Sequence, residues 1–164
     1  MKIEFEELNE KDLPLVRKIY EYYVENSTAT FHIGDITIEE IRTFIPINHP
    51  VYKSYLIKAN ETVCGYCYLA PYKNRQAYNR TAEVTVYLKH EYTGRGIGRT
   101  ALQKLEKDAR FTQVKVLIGI ITGDNIHSIN LFTQEGYTKC AHFKEVGEKF
   151  GKVLDVVAYQ KFIT

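Results

Sequence analysis

Two hydrophobic periods divide this chain. Between residues 11 and 25 the side chains Leu13, Val16, Ile19, Tyr20 and Tyr23 recur at three- and four-residue spacing, which predicts an amphipathic helix with that stripe inward. Thr37 with Glu40 three residues on forms a capping box, opening a second short helix that runs to about residue 45. A two-residue period takes over elsewhere: residues 2–7 read as a strand, and so do about 51–58 and 63–70, with Asn60-Glu61 in the turn between them. After a loop at 71–80, Ala82-Glu83-Val84-Thr85-Val86-Tyr87-Leu88 is β-branched and aromatic, which suits a pleated, half-buried strand over 82–89. Ile97, Ala101, Leu102, Leu105 and Ala109 then return to helical spacing. An apolar run at 114–121 follows, then a helix capped near Asn125 and stopped at Gly136, then strands near 138–146 and 153–161. No repeat, low-complexity segment or linker interrupts this order, so residues 1–164 read as a single mixed α+β sheet domain.

The strand at 82–89 carries the first chemical signal. Alternation puts Val84, Val86 and Leu88 on one face, the core, and Glu83, Thr85 and Tyr87 on the other. That second face is either a solvated sheet surface or the floor of a cleft. A carboxylate buried without a partner is costly, so an acid in a central strand has a task or a shifted pKa. Gly94, Gly96 and Gly98 follow directly and lead into the helix. Free N–H groups at such a helix start, with Arg95 and Arg99 beside them, form either an anion site for phosphate or pyrophosphate or an ordinary glycine-rich turn with exposed arginines.

Two familiar nucleotide motifs fail on their own requirements. A P-loop needs Lys-Ser/Thr after its last glycine, where Arg99-Thr100 stands with the wrong glycine spacing. A dinucleotide fingerprint needs Gly or Ala at the position of Arg99 and an acid about 20 residues on, where the chain is apolar. Composition narrows the field further. The 164 residues are 45% hydrophobic and 26% charged with a net charge of +2, which suits a globular domain and argues against a dedicated nucleic-acid binder. The chain start lacks a signal-peptide apolar core, and no run approaches the roughly 18 apolar residues of a membrane helix, so a cytoplasmic protein is expected. Cys64-Gly65-Tyr66-Cys67 has a redox-like spacing but falls in a strand, so Cys64, Cys67 and Cys140 read as reduced core thiols. The five histidines show neither metal-ligand nor triad spacing and read as surface or packing residues.

Thr93-x-x-Gly96-x-Gly98 at a strand-to-helix junction resembles the acyl-CoA pyrophosphate loop of the GCN5-related N-acetyltransferases. Tyr72-Lys73-Asn74-Arg75-Gln76-Ala77-Tyr78, Thr81-Ala82-Glu83-Val84-Thr85-Val86-Tyr87 and Phe143-Lys144-Glu145-Val146-Gly147-Glu148-Lys149-Phe150-Gly151-Lys152 are similar to the phosphinothricin and methionine sulfoximine acetyltransferase branch. These matches lie in order over most of the chain. The resemblance implies the GNAT acyl-CoA N-acyltransferase fold, a mixed, mostly antiparallel central sheet flanked by helices, in which two strands splay to admit the pantetheine arm. It implies acetyl-CoA as cosubstrate and a small-molecule amine as acceptor, and it implies a homodimer, without nucleic-acid or membrane partners.

Roles follow position by position. Glu83 falls where the family places its catalytic acid, which would take the ammonium proton of the amine before direct attack. Val86, Tyr87 and Leu88 fall on the strand that binds pantetheine, and Gly94, Arg95, Gly96, Ile97, Gly98 and Arg99 on the pyrophosphate loop. Asn125 and Ser128 fall where an Asn meets the CoA arm, although Asn125 serves equally as a helix cap. Lys73, Asn74, Arg75, Thr85 and Phe31 fall on the acceptor side. Arg75 would hold a carboxylate bidentately and Lys73 a second anion, or both belong to a solvated loop; Phe31 closes the pocket or is ordinary core. Phe132 stands where many relatives carry a Tyr or His able to protonate the departing thiolate, leaving Tyr87, Tyr137 or water for that step, or a thiolate that departs unaided. The expected activity is acetyl transfer to the α-amine of a small amino-acid analogue. The alternatives are a polyamine, aminoglycoside or peptide N-terminus as acceptor, or an acyl-CoA-binding regulatory module without turnover.

Overall fold

In chain order the computed structural model, which describes residues 1–164, runs β1 (Ile3–Glu7), α1 (Leu13–Asn26), α2 (Ile38–Phe44), β2 (Ser54–Ala59), β3 (Thr62–Pro71) and β4 (Thr81–Leu88). It continues through α3 (Ile97–Ala109), β5 (Val116–Thr122), α4 (Ile126–Gln134), β6 (Thr138–Lys149) and β7 (Lys152–Phe162). The strands form one sheet in the order β1-β2-β3-β4-β5-β7-β6, antiparallel everywhere except between β4 and β5.

Local chemistry sets the helices as the sequence indicates. The Thr37 hydroxyl accepts from the Glu40 N–H at 3.1 Å, and the Glu40 carboxylate accepts from the Thr37 N–H at 3.2 Å, closing the capping box of α2. In α1 the buried stripe is Leu13, Val16, Ile19, Tyr20 and Val24. Tyr23, expected inward, is only half-buried, because the 3.6-residue period carries the stripe from Tyr20 to Val24. Its hydroxyl instead donates to the Leu88 carbonyl of β4.

The sheet separates two cores. Leu69, Val84, Leu88, Leu102, Leu105 and Leu117 belong to the larger, under α3 and α4; Val16, Ile41, Leu56, Tyr66 and Tyr68 belong to the smaller, under α1 and α2. Cys64 and Cys67 are buried free thiols, whereas Cys140 is exposed on β6, so the core expectation holds for two of the three. No helix is long and apolar enough to cross a membrane.

One irregularity positions everything that follows. β4 pairs with β5 only over Thr81–Glu83 against Val116–Ile118. Beyond Glu83 the two strands part, while β4 stays on β3 as far as Leu88 and β5 stays on β7 as far as Thr122.

Candidate active site

Glu83 is the last residue of that short parallel ladder. With Thr85 and Tyr87 it faces the α1 and α2 side, where a cavity of about 320 Å³ opens. The alternation of apolar and polar residues therefore produces a cleft floor, not a solvated surface. Tyr68 of β3 and Ile120 and Thr122 of β5 extend the floor, and Ala29, Thr30 and Phe31, from the connection after α1, form a wall. The Glu83 carboxylate makes no ion pair or hydrogen bond within the chain. Burial pushes its carboxyl above the usual carboxylate range, opposed by the positive charge of Lys73.

The backbone of β4 provides a second feature. Lys89 N–H donates to the Cys64 carbonyl at 2.7 Å, so the main chain of Lys89 faces β3. Alternation then turns the peptide groups of Val84, Val86 and Leu88 toward the gap left by β5. The Val84 N–H closes the ladder on Ile118 and Tyr23 satisfies the Leu88 carbonyl, so the Val84 carbonyl, Val86 and the Leu88 N–H remain as a free strand edge inside the sheet. Tyr87 has its main chain on the β3 side and its ring in the cavity, so it groups with the acceptor residues and not with the strand edge.

The glycine loop lies beyond that edge. Gly94 and Gly96 have φ of 75° and 82°, a left-handed conformation that explains glycine at both positions, and Gly96 caps the start of α3. Ile97 is buried in the core and offers only its N–H. Gly98 permits close helix packing, since a Cβ there would sit 3.1 Å from Leu131 Cδ2. Arg95 is exposed, 5.3 Å from the Tyr92 ring centroid. Arg99 forms an ion pair, its Nε 2.9 Å from the Glu135 carboxylate. Arg95 has no ion pair in the chain, whereas Arg99 shares its charge with Glu135. Free N–H groups at the start of a 13-residue helix and an unpaired strand edge are the partners that a diphosphate and an amide-bearing arm require, so the residues present fit acetyl-CoA.

Asn125 Oδ1 accepts from the Ser128 N–H at 3.2 Å, which establishes the capping role and leaves the side-chain amide group free to donate. Phe31 stands at the cavity rim, 37% exposed, against Gly147 of β6, where any Cβ would overlap its ring. Lys73, Asn74 and Arg75 are exposed and lie outside the cavity lining; of the three, only Lys73 registers electrostatically at Glu83. Phe132 is buried with its ring against Gly119, and Tyr137 packs edge-on behind it at 4.8 Å between centroids. Between the two phenols considered for proton return, Tyr87 lines the cavity and Tyr137 does not. Sequence reasoning missed Tyr20, Thr30, Tyr68, Ile120 and Thr122. The alternation along β5 could have pointed to Ile120 and Thr122, but nothing local marks Thr30.

A family model described as an acetyltransferase (GNAT) domain matches residues 6–158. The chain belongs to the GNAT acetyltransferase family. It is accordingly an N-acetyltransferase, and acetyl-CoA is the acetyl donor of GNAT enzymes. Its relatives include a phosphinothricin N-acetyltransferase of Alcaligenes faecalis, 31% identical over 94% of this chain and 79% of that one. An L-methionine sulfoximine/L-methionine sulfone acetyltransferase of Salmonella typhimurium is 29% identical over 91% of this chain and 88% of its own. Among solved structures, a GNAT phosphinothricin acetyltransferase from Sinorhizobium meliloti in complex with acetyl-CoA superposes with a TM-score of 0.89 at 26% identity, covering 99% of this chain and 89% of that one.

Proposed function

We propose that this GNAT enzyme transfers acetyl from acetyl-CoA to the α-amine of a small amino-acid analogue of the phosphinothricin or methionine sulfoximine type, with Glu83 as general base. The observation that carries this reading is Glu83 itself: a carboxylate without a partner, pushed up by burial, on the cavity floor where β4 leaves β5. A base tuned upward from the carboxylate range is better matched to removing an ammonium proton near neutral pH. The cavity, at about 320 Å³, falls at the small end of ligand pockets, which suits an amino acid better than an aminoglycoside.

Acetyl-CoA lies along the free edge of β4, with its diphosphate at the N–H groups of Gly96, Ile97 and Gly98 and its arm against Val86 and Leu88. Asn125 donates to that arm. The amine gives its proton to Glu83, directly or through water, and its nitrogen attacks the thioester carbonyl carbon. The carbon–nitrogen bond forms, an N–H of Val86 or Leu88 stabilises the oxyanion, and the carbon–sulfur bond breaks. Phe132 has no proton to return to the thiolate. The second proton that the attacking nitrogen sheds as the amide forms reaches the thiolate through the Tyr87 hydroxyl, which burial holds neutral, so the phenol ends as it began. Lys73, whose charge reaches Glu83, and Arg75, two residues on in the β3–β4 connection, meet the anionic groups of the acceptor.

Removing a positioned general base costs about 10²- to 10⁴-fold in rate. Glu83→Gln should therefore lower kcat by that amount with the acetyl-CoA dissociation constant within about twofold of the parent. Release of CoA across a panel of amino acids, polyamines and peptides is the assay. Unchanged turnover in Glu83→Gln removes Glu83 from the role, and turnover confined to polyamines or peptides removes the amino-acid acceptor.

A further inference from the structure

Lys149, the last residue of β6, is 2% exposed, and no carboxylate lies within ion-pair distance of it. An ammonium buried without a counter-charge is costly unless its hydrogen bonds are strong and its position serves a purpose. Its Nζ donates to the Thr30 carbonyl at 2.8 Å and reaches the Tyr23 carbonyl at 3.4 Å, with the Phe150 ring centroid 5.1 Å away. Tyr23 lies in the last turn of α1, which contains no basic residue of its own. Carbonyls there carry the negative end of the helix dipole, and a lysine 126 residues further along the chain supplies the missing cation.

Thr30 lies in the wall of the cavity. Two other ties hold the same segment: Thr122 Oγ1 donates to the Thr28 carbonyl at 2.7 Å, and the Thr30 hydroxyl lies 2.5 Å from the Tyr20 hydroxyl. These fix Thr28 from β5 and the Thr30 side chain from α1. The main chain of Thr30 is held from the β6–β7 hairpin by Lys149. The hairpin tip is itself a tight turn, with Phe150 and Gly151 at φ of 54° and 72°, which aims Lys149 inward.

We propose that Lys149 is a positioning residue for acceptor binding: its ammonium clamps the Thr28–Phe31 wall to the end of α1 and so sets the opening of the cavity above Glu83. The proposal rests on reading that cavity as the acceptor site. Lys149 does not line the cavity, so its effect passes through Thr30.

Lys149→Met keeps the stem and removes the donors, and Lys149→Arg restores a cation. Steady-state kinetics in both substrates, with hydrogen exchange of the amides at Ala29–His32, test the clamp. In Lys149→Met the acceptor KM should rise about tenfold or more while the acetyl-CoA KM stays within about twofold, and exchange of the wall amides should accelerate about tenfold. Lys149→Arg should recover most of both. If Lys149→Met does not fold, Lys149→Arg and Lys149→Gln carry the same comparison, with the larger acceptor KM expected for Gln. A parallel rise in both KM values, or unchanged acceptor KM and exchange, overturns the clamp. Glu83→Gln, run alongside, separates the two ideas. Loss of its turnover with Lys149→Met unaffected rejects the clamp alone, whereas full activity of Glu83→Gln rejects the cavity reading, and the exchange data still decide whether Lys149 holds the wall.

Discussion

Gly119 and Phe132 offer the sharpest test of how α4 is seated. A Cβ built on Gly119 lies 2.8 Å from Phe132 Cζ and 3.0 Å from Cδ1, and nearer still to Cε1. Carbon atoms in contact prefer about 3.5–4.0 Å, so Gly119→Ala requires the ring to retreat by roughly 1 Å. Tyr137 stands edge-on behind the ring at 4.8 Å, and Phe132 is 8% exposed, which leaves little room to move. Overpacking of this kind costs about 1–3 kcal/mol, and about 2 kcal/mol in a chain of this size lowers Tm by about 6 °C. Phe132→Leu alone should cost about 2 kcal/mol through lost ring contacts, but its shorter side chain leaves space for the new methyl group. The double variant should therefore be at least about 1 kcal/mol more stable than the sum of the singles. Denaturant titration of all four proteins measures that coupling directly. Because Asn125, proposed to meet the acetyl-CoA arm, caps α4, Gly119→Ala should also raise the acetyl-CoA KM, and Phe132→Leu should partly restore it. Additivity within about 0.5 kcal/mol would show that the ring does not rest on Gly119.

Three further outcomes follow from other parts of the molecule. Burial raises the Glu83 pKa in the fold, so the native state keeps its proton to a higher pH than the unfolded chain does. Stability then falls as pH rises from the unfolded to the folded pKa: Glu83→Gln should have a higher Tm than the parent at neutral pH, the gap closing as pH drops below the ordinary carboxylate range, and the acid limb of kcat/KM should lie above that range. Tyr23→Phe removes the donor to the Leu88 carbonyl and should cost about 1 kcal/mol, or about 3 °C; the hydroxyl pKa is pushed up to about 12, so a calorimetric series should show a deficit that is constant through neutral pH. Lys161 donates to the buried Glu106 at 2.9 Å and to the Glu135 carbonyl at 2.8 Å, and Lys161→Met leaves Glu106 only Arg110. The expected loss is about 2 kcal/mol by chemical denaturation, less than the 3–5 kcal/mol of a fully orphaned buried charge because Arg110 remains.

Features encoded within a few residues were legible. The capping box at Thr37, the two faces of β4 and the glycines before α3 each depend on local spacing, and each stands where the pattern puts it. Features made by distant segments were not. Nothing near Arg99 in the sequence shows that the fold brings Glu135 to 2.9 Å from it. Lys149 sits in an exposed-looking run of charge, and only a hairpin 119 residues beyond Thr30 shows that it turns inward. Tyr23 shares the apolar stripe in sequence, but its position at the stripe's edge gives it a partner on β4 instead. Whether Glu83 faces water or a cleft depended on what covers β4, and that cover comes from the connection after α1.

Three residue pairs are the whole backbone ladder between β1-β2-β3-β4 and β5-β7-β6. Mechanically the molecule is two half-sheets sharing one short seam, and Glu83 is the final stitch. A cosubstrate bound in that gap, as proposed, would supply the hydrogen bonds the strands deny each other, so loading the donor would stiffen the sheet as well as deliver an acyl group. Glu83, the proposed base, therefore stands at the crotch of the sheet, where the two half-sheets diverge.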